Sequence, residues 1–298
     1  MSELEAIKKI KSRVDTLKKQ LSTVIVGQEE VIEQILISIV CDANALLESN
    51  PGLGKTLTIK TIAKLLELKF SRVQNTPDLM PSDITGTYVI QEVNGKKSFI
   101  FEKGPIFTNI LLADEINRAT PKTQAALLEA MEEKQVTVGK QTFPLDSPFF
   151  VLATQNPIDQ EGTYPLPEAQ VDRFLLKILV DYPKNSEELE IVNKYTQKIT
   201  IPQLTKVFTA QDLKNLQTLA RQVPIADDIK RKVVELIHKT RTKKELIEYA
   251  GLKRKDKPAL VIIFSNIKQF KKPKQLDFPI TMGGLYVTNE NKLTVLGG

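Results

Sequence analysis

The stretch ESNPGLGKTLT, residues 48–58, decides how the rest of the chain is read. Gly52, Gly54, Lys55 and Thr56 fit the end of the phosphate-loop pattern G-x-x-x-x-G-K-[ST]. Such a loop curls so that backbone N–H groups and a helix N-terminus point at the β-phosphate. Its lysine reaches the β and γ oxygens, and its hydroxyl joins the Mg²⁺ shell. The first position of the pattern, normally glycine, is Ser49. Serine adopts positive φ only at a cost, so the loop is expected to hold if position 49 has negative φ or absorbs the strain. A short apolar run at 44–49 precedes the loop and a helical pattern at 55–68 follows it, which is the strand–loop–helix context the motif requires. On this reading Ser49, Asn50, Pro51, Gly52, Leu53, Gly54, Lys55, Thr56 and Leu57 line a bound nucleotide.

A second element supports the first. The apolar run NILLADE, 109–115, delivers Asp114 and Glu115 to its C-terminal end, where α/β proteins bind ligands. Asp114 is a candidate Mg²⁺ ligand, direct or through water, beside Thr56. Glu115 is placed to orient and deprotonate an attacking water. Surface acids at a strand end are common, but here they follow a phosphate loop and another strand–helix unit.

Around these elements the patterning alternates. Apolar residues at helical spacing (Leu4, Ile7, Ile10, Val14, Leu17) mark the first 20 residues, and 27–40 is a second helical pattern. Two strand-like runs in 86–103 flank Asn94-Gly95, a strong hairpin signal. Residues 121–134 read as a helix, 135–143 as a hairpin turning at Gly139-Lys140, and 148–156 as a buried strand. A short helix is expected in 167–174, near Pro167. From about residue 184 the texture is helical and charged, over 186–198, 209–221 with a Thr209…Asp212 cap, and 226–243. Strands interleaved with helices, then helices alone, predict an α/β nucleotide domain over 1–183 and a smaller helical lid over 184–298.

Composition sets the outer bounds. Of the 298 residues, 41% are hydrophobic and 26% charged, as in soluble globular proteins. The single cysteine, Cys41, excludes an intrachain disulfide and reads as a small buried hydrophobe. The start of the chain has no secretory core and no apolar run approaches a bilayer span, so a cytoplasmic protein is expected. The net charge of +6 is uneven: Lys239–Lys274 carries 12 Lys or Arg against 3 Asp or Glu, and the remainder is mildly acidic. That segment reads either as a solvated face or tail or as a nucleic-acid contact. His238, the only histidine, is read as structural.

The stretches LLADEINRATPKTQAALLEAMEEKQVTV and FFVLATQNPIDQEGTYPLPEAQVDRFLLK resemble the MoxR family of AAA+ ATPases, and VGQEEVIEQILISI and LLESNPGLGKT match its opening segments. The resemblance is dense from about residue 24 to 183. It implies a P-loop AAA+ fold with a central parallel sheet, with ATP and Mg²⁺ as cofactors and ATP hydrolysis as the activity. It also implies that Asn156 is the sensor-1 residue that helps place the water, and that Arg173 is an arginine finger reaching a neighbouring subunit's γ-phosphate; Arg118 is the second candidate. The Asn94-Gly95 hairpin matches the insert in helix 2 of this branch. A finger acting in trans implies a homo-oligomeric ring, a hexamer by family expectation. Relatives act on protein clients, with partners that carry von Willebrand A domains.

The resemblance weakens after residue 183 and is lost after about Tyr249. The sensor-2 arginine has no convincing counterpart, although Arg254 and Lys255 lie near its place. Helical periodicity stops after Gly251 while Pro258, Pro273 and Pro279 appear, so the last 45 or so residues are expected not to be the family's lid helices, through truncation or a change of reading frame. Three functions compete on these grounds: an ATP-hydrolysing remodeller of proteins, a nucleic-acid-linked motor favoured by the basic stretch, and a nucleotide-gated scaffold with little turnover.

Overall fold

The computed structural model describes residues 3–93, 96–156, 163–196 and 203–241. In chain order its first elements are α1 (Glu3–Val24), α2 (Glu29–Val40), β1 (Asn44–Ser49), α3 (Lys55–Leu65), β2 (Phe70–Gln74) and α4 (Pro81–Thr85). Then come β3 (Gly86–Val93), β4 (Lys96–Lys103), β5 (Ile110–Asp114), a 3₁₀ turn (Ile116–Arg118), α5 (Pro121–Glu133), β6 (Gln135–Val138), β7 (Gln141–Pro144) and β8 (Phe150–Gln155). The last are α6 (Glu168–Val171), β9 (Phe174–Val180), α7 (Asn185–Thr196), α8 (Ala210–Arg221) and α9 (Asp227–Arg241).

A five-stranded sheet in the order β2-β5-β8-β1-β9 occupies the centre. Every adjacent pair in it is parallel, so all five C-terminal ends lie along one edge. Strands buried on both faces read as continuous apolar runs. That describes β1, β5 and β8, whose side chains alternate between two cores. Ala45, Leu47, Ile110, Leu112, Phe150 and Leu152 pack with Leu21, Ile35, Ile39, Ile59 and Ile62 of α1–α3. Leu46, Leu111, Ala113, Val151 and Ala153 pack with Leu127, Leu128 and Met131 of α5 on the other face. Helices on both faces of a parallel sheet make this the expected α/β P-loop fold.

The two outer strands, β2 and β9, were not expected from the sequence. β9 alternates buried and half-buried positions, and in β2 only Val73 is buried. Both expected hairpins are present. β3 and β4 pair from Gly86↔Lys103 to Val93↔Lys96, with the Asn94-Gly95 turn outside the described residues. β6 and β7 pair Val138↔Gln141 around Gly139 at φ 63°. Stacking of Phe101 on Phe143, with centroids 4.1 Å apart, joins the two hairpins.

The helices after the sheet attach mainly through α8. Its N-terminus carries the expected box: Asp212 N–H donates to Thr209 Oγ1 at 3.1 Å and Thr209 N–H to Asp212 Oδ2 at 3.0 Å. Arg13 of α1 donates to Asp212 Oδ2 at 2.7 Å and to Val207 O, and lies 4.2 Å over the Phe208 ring. One expectation fails. Cys41 is exposed rather than buried, because it is the C-cap of α2 in the turn leading to β1. His238 lies on α9 and is exposed. Arg254, Lys255, the prolines that follow and most of the basic stretch lie outside the described residues. Among the described residues no helix is long and apolar enough to cross a membrane.

Candidate nucleotide site at the C-terminal edge of the sheet

The order β5-β8-β1 brings the phosphate loop, the acid pair and Asn156 to one edge, since each follows the C-terminal end of one of three adjacent parallel strands. Ser49 is the last residue of β1, buried and paired with Val180. It is not among the residues at positive φ. The strain that serine would bring is therefore absent, and the loop keeps its turn through Gly52 at φ 84° and Gly54 at φ 75°. A Cβ at either glycine would meet nothing within 4 Å; it is the backbone shape, not crowding, that calls for glycine. Gly54 is the N-cap of α3, so Lys55 and Thr56 open that helix and its N-terminus faces the loop.

Ser49 adds a contact that glycine could not make. Its hydroxyl accepts a hydrogen bond from Lys55 Nζ, which also donates to Asn50 O at 3.0 Å. Burial pushes the Lys55 ammonium below its usual range, and the Asp114 and Glu115 carboxylates pull it back up. The lysine thus stands in the field of both acids.

Asp114 is buried and both its oxygens are engaged. Thr154 Oγ1 donates to Oδ1, and Arg72 donates to Oδ2 through Nη2 at 2.6 Å and Nε at 3.1 Å. A cation in front of Asp114 would meet it through a water, or directly once Arg72 turns away. Among the described residues no three His, Cys, Asp or Glu side chains cluster as a metal site. A helix-opening threonine and one carboxylate form the sparse oxygen set that suits Mg²⁺ arriving on phosphates rather than in a protein cage, with the loop lysine beside them for the phosphates. The residues fit a Mg²⁺–nucleotide.

Glu115 sits at φ 54°, an uncommon backbone for a non-glycine residue. Its N–H donates to Thr154 Oγ1 at 2.9 Å, and its Oε2 accepts from Arg118 Nη1 at 2.8 Å. Thr154 therefore fixes both acids at once.

Arg173 is the predicted residue that the structure keeps apart from this edge. It precedes β9, whose Phe174 pairs with Asn44 at the start of β1. Five residue steps of strand, about 17 Å, separate that end of β1 from Ser49. Arg173 pairs with Glu132 of α5, not with its neighbour Asp172. A side chain placed there lies far from the phosphate loop of its own chain.

Sequence reasoning missed four contributors. Thr154 and Arg72 hold the acids. Gln28 ties the loop down, its Nε2 donating to Leu53 O at 2.8 Å. Glu48 anchors the loop from β1 by pairing with Lys177 of β9 at 2.7 Å. Thr154 left a signal, as a hydroxyl inside the buried run FFVLATQ, because buried polar groups require partners. Arg72 left none, since its partner lies 42 residues away.

The family model described as "ATPase family associated with various cellular activities (AAA)" matches residues 44–176. A second, of a domain of unknown function, matches 161–289. The chain is 44% identical over 238 residues to Chaperone MoxR1 of Mycobacterium tuberculosis, an alignment covering 79% of this chain and 62% of that protein. It is 46% identical over 224 residues to the uncharacterised protein YeaC of Bacillus subtilis, covering 75% and 69%. A crystal structure from Cytophaga hutchinsonii, assigned as an ATPase, superposes with a TM-score of 0.74 at 42% identity, covering 82% of this chain and 74% of that one. The chain thus spans under two thirds of the length of MoxR1 and just over two thirds of YeaC.

Proposed function

We propose that this chain, which belongs to the MoxR family of AAA+ ATPases, hydrolyses ATP with Mg²⁺ and works as a chaperone-like remodeller of protein complexes. The observation that carries the reading is the strand order β5-β8-β1, which sets the phosphate loop after β1 and the acid pair at the end of β5 on one edge of the sheet.

Each side chain then has a task. The loop amides of 50–54 and the N-terminus of α3 bind phosphate. Lys55 leaves Ser49 and Asn50 to neutralise the β and γ oxygens. Thr56 and Asp114 would hold Mg²⁺, which supplies charge neutralisation at the phosphates when bound. Glu115 accepts a proton from the attacking water, and Asn156 orients that water. Arg173, remote from its own site, is offered to the next subunit's γ-phosphate. That arrangement calls for a head-to-tail homo-oligomeric ring, a hexamer by resemblance. The remaining assignments rest on resemblance alone: a core over 1–183 with a helical lid from 184, a cytoplasmic setting, a von Willebrand A domain partner and a protein client.

Steady-state phosphate release tests this. Glu115→Gln is expected to bind ATP normally and lose turnover by about 10²-fold or more. Lys55→Ala is expected to lose about 10- to 100-fold in ATP affinity, the worth of charge-assisted hydrogen bonds. ATP binding without turnover in the unaltered chain would favour the nucleotide-gated scaffold instead.

A further inference from the structure

β2 buries only Val73, yet three residues in and just after its C-terminal end converge on Asp114. We propose that Arg72 is a positioning residue that offsets the charge of Asp114, so that this edge takes up Mg²⁺ together with a nucleotide and not as a free ion. The proposal rests on the nucleotide reading of the site.

The placement of Asp114 does not depend on Arg72. Asn75 donates twice to Asp114 O, from its N–H at 2.9 Å and from Nδ2 at 2.7 Å. Thr154 Oγ1 holds Oδ1. That leaves Oδ2, which accepts from both Nε and Nη2 of Arg72, at 3.1 and 2.6 Å. The same Nη2 donates to Gln74 Oε1 at 2.6 Å, a neutral acceptor two residues along the strand and on the same face. The guanidinium is thus braced by its own strand and aimed at a single oxygen. Arginine does not deprotonate in proteins, so what it adds at Oδ2 is a permanent positive charge.

The other charges joined at this edge act in the same sense. Arg118 pairs with Glu115 at 2.8 Å, and Lys55 lies in the field of both acids. With the Arg72–Asp114 pair, two carboxylates meet three cations, a net charge of +1. A free divalent cation is repelled by that sum and finds each carboxylate already beside a cation. A triphosphate is attracted by the same three cations and reverses the sign of the site. Mg²⁺, which sheds its waters reluctantly, is ordinarily held by one or two carboxylates together with phosphates. Arg72 therefore makes Asp114 useful to the metal only once phosphates are present.

Calorimetric titration of the full chain tests this with two probes, Mg²⁺ alone and ATP with Mg²⁺ or with EDTA. Arg72→Gln and Arg72→Met remove the charge and are expected to bind Mg²⁺ alone about tenfold more tightly than the unaltered chain. The effect is no larger because the Arg72 side chain is 44% exposed and solvent screens it. Both variants are expected to bind ATP in EDTA about tenfold more weakly, the two changes offsetting when ATP arrives with Mg²⁺. Arg72→Lys keeps the charge without the fork and is expected to match the unaltered chain with both probes. In an Asp114→Asn background, Arg72→Gln is expected to lose its effect on Mg²⁺. Mg²⁺ affinity that falls in both neutral variants makes Arg72 a strut for the carboxylate and overturns the proposal, as does an unchanged affinity. An unaltered chain that binds no ATP under either condition removes the nucleotide reading itself, whereas failure in the Arg72 variants alone leaves that reading standing. A thermal melt identifies a neutral variant that fails to fold, and the other then decides.

Discussion

The sheet edge that carries the candidate site and the helices that follow the sheet are built by opposite means. β1, β5 and β8 are enclosed on both faces, so the loop and the acids ride on a frame with little freedom. α7 buries no residue at all, and α8 buries only Leu213 and Gln217. Leu189, Val192 and Tyr195 of α7 are exposed. Chemistry that needs placement within a fraction of an ångström sits on the rigid part, while the surface-held helices have few contacts to lose when they move.

One pair of substitutions tests that contrast most severely. Phe150→Ala, inside the sheet core, is expected to destabilise by about 3–5 kcal/mol. Leu189→Ala on α7 is expected to stay within about 0.5 kcal/mol. Equal effects by chemical denaturation would mean that α7 is covered in solution.

Next in size is Thr154→Val, nearly isosteric, which strips one partner from each acid. A loss of about 1–3 kcal/mol is expected, together with at least a tenfold drop in turnover from misplaced carboxylates and little change in ATP affinity. Full activity in this variant would show that the acids are held by Arg72 and the backbone alone.

The smallest effect belongs to the joint between the two parts. The Arg13 guanidinium, aided by the Thr209 N–H, holds the Asp212 carboxyl well below the usual carboxylate range. A carboxyl lowered in the folded state adds stability above its unfolded value, near pH 4, and loses it as pH falls toward the folded value. Asp212→Ala is expected to cost about 1 kcal/mol at neutral pH, the worth of a cap, since solvent screens this partly exposed pair. The gap between the two proteins should narrow below about pH 4, and a gap independent of pH would assign the effect to packing.

The same contrast governs how much was legible in the sequence. Phosphate loop, acid strand and hairpins announce themselves through local residues, because a turn or a doubly buried strand imposes its composition on neighbours in the chain. β2 and β9 did not, since an outer strand needs apolar residues on only part of its surface, and Lys177 in FLLKILV faces Glu48 rather than solvent. Arg72 and Gln28 acquire meaning only through partners that the fold brings near. The exposed Cys41 shows the converse: composition favoured burial, and its place in a turn overrode it.

The hold of Arg13 on Val207 spans 194 positions of chain, and Gln20 makes a similar reach to Thr205. At the usual pace of synthesis, about 5–20 residues per second, the first helix emerges some 10–40 s before its final partners exist. During that interval it can lie against the growing sheet only through earlier partners, such as the core around Leu17 and Leu21 and the Lys18–Glu33 pair. Completion of this molecule is therefore a late event in translation, and the order in which the chain leaves the ribosome becomes part of how the fold is reached.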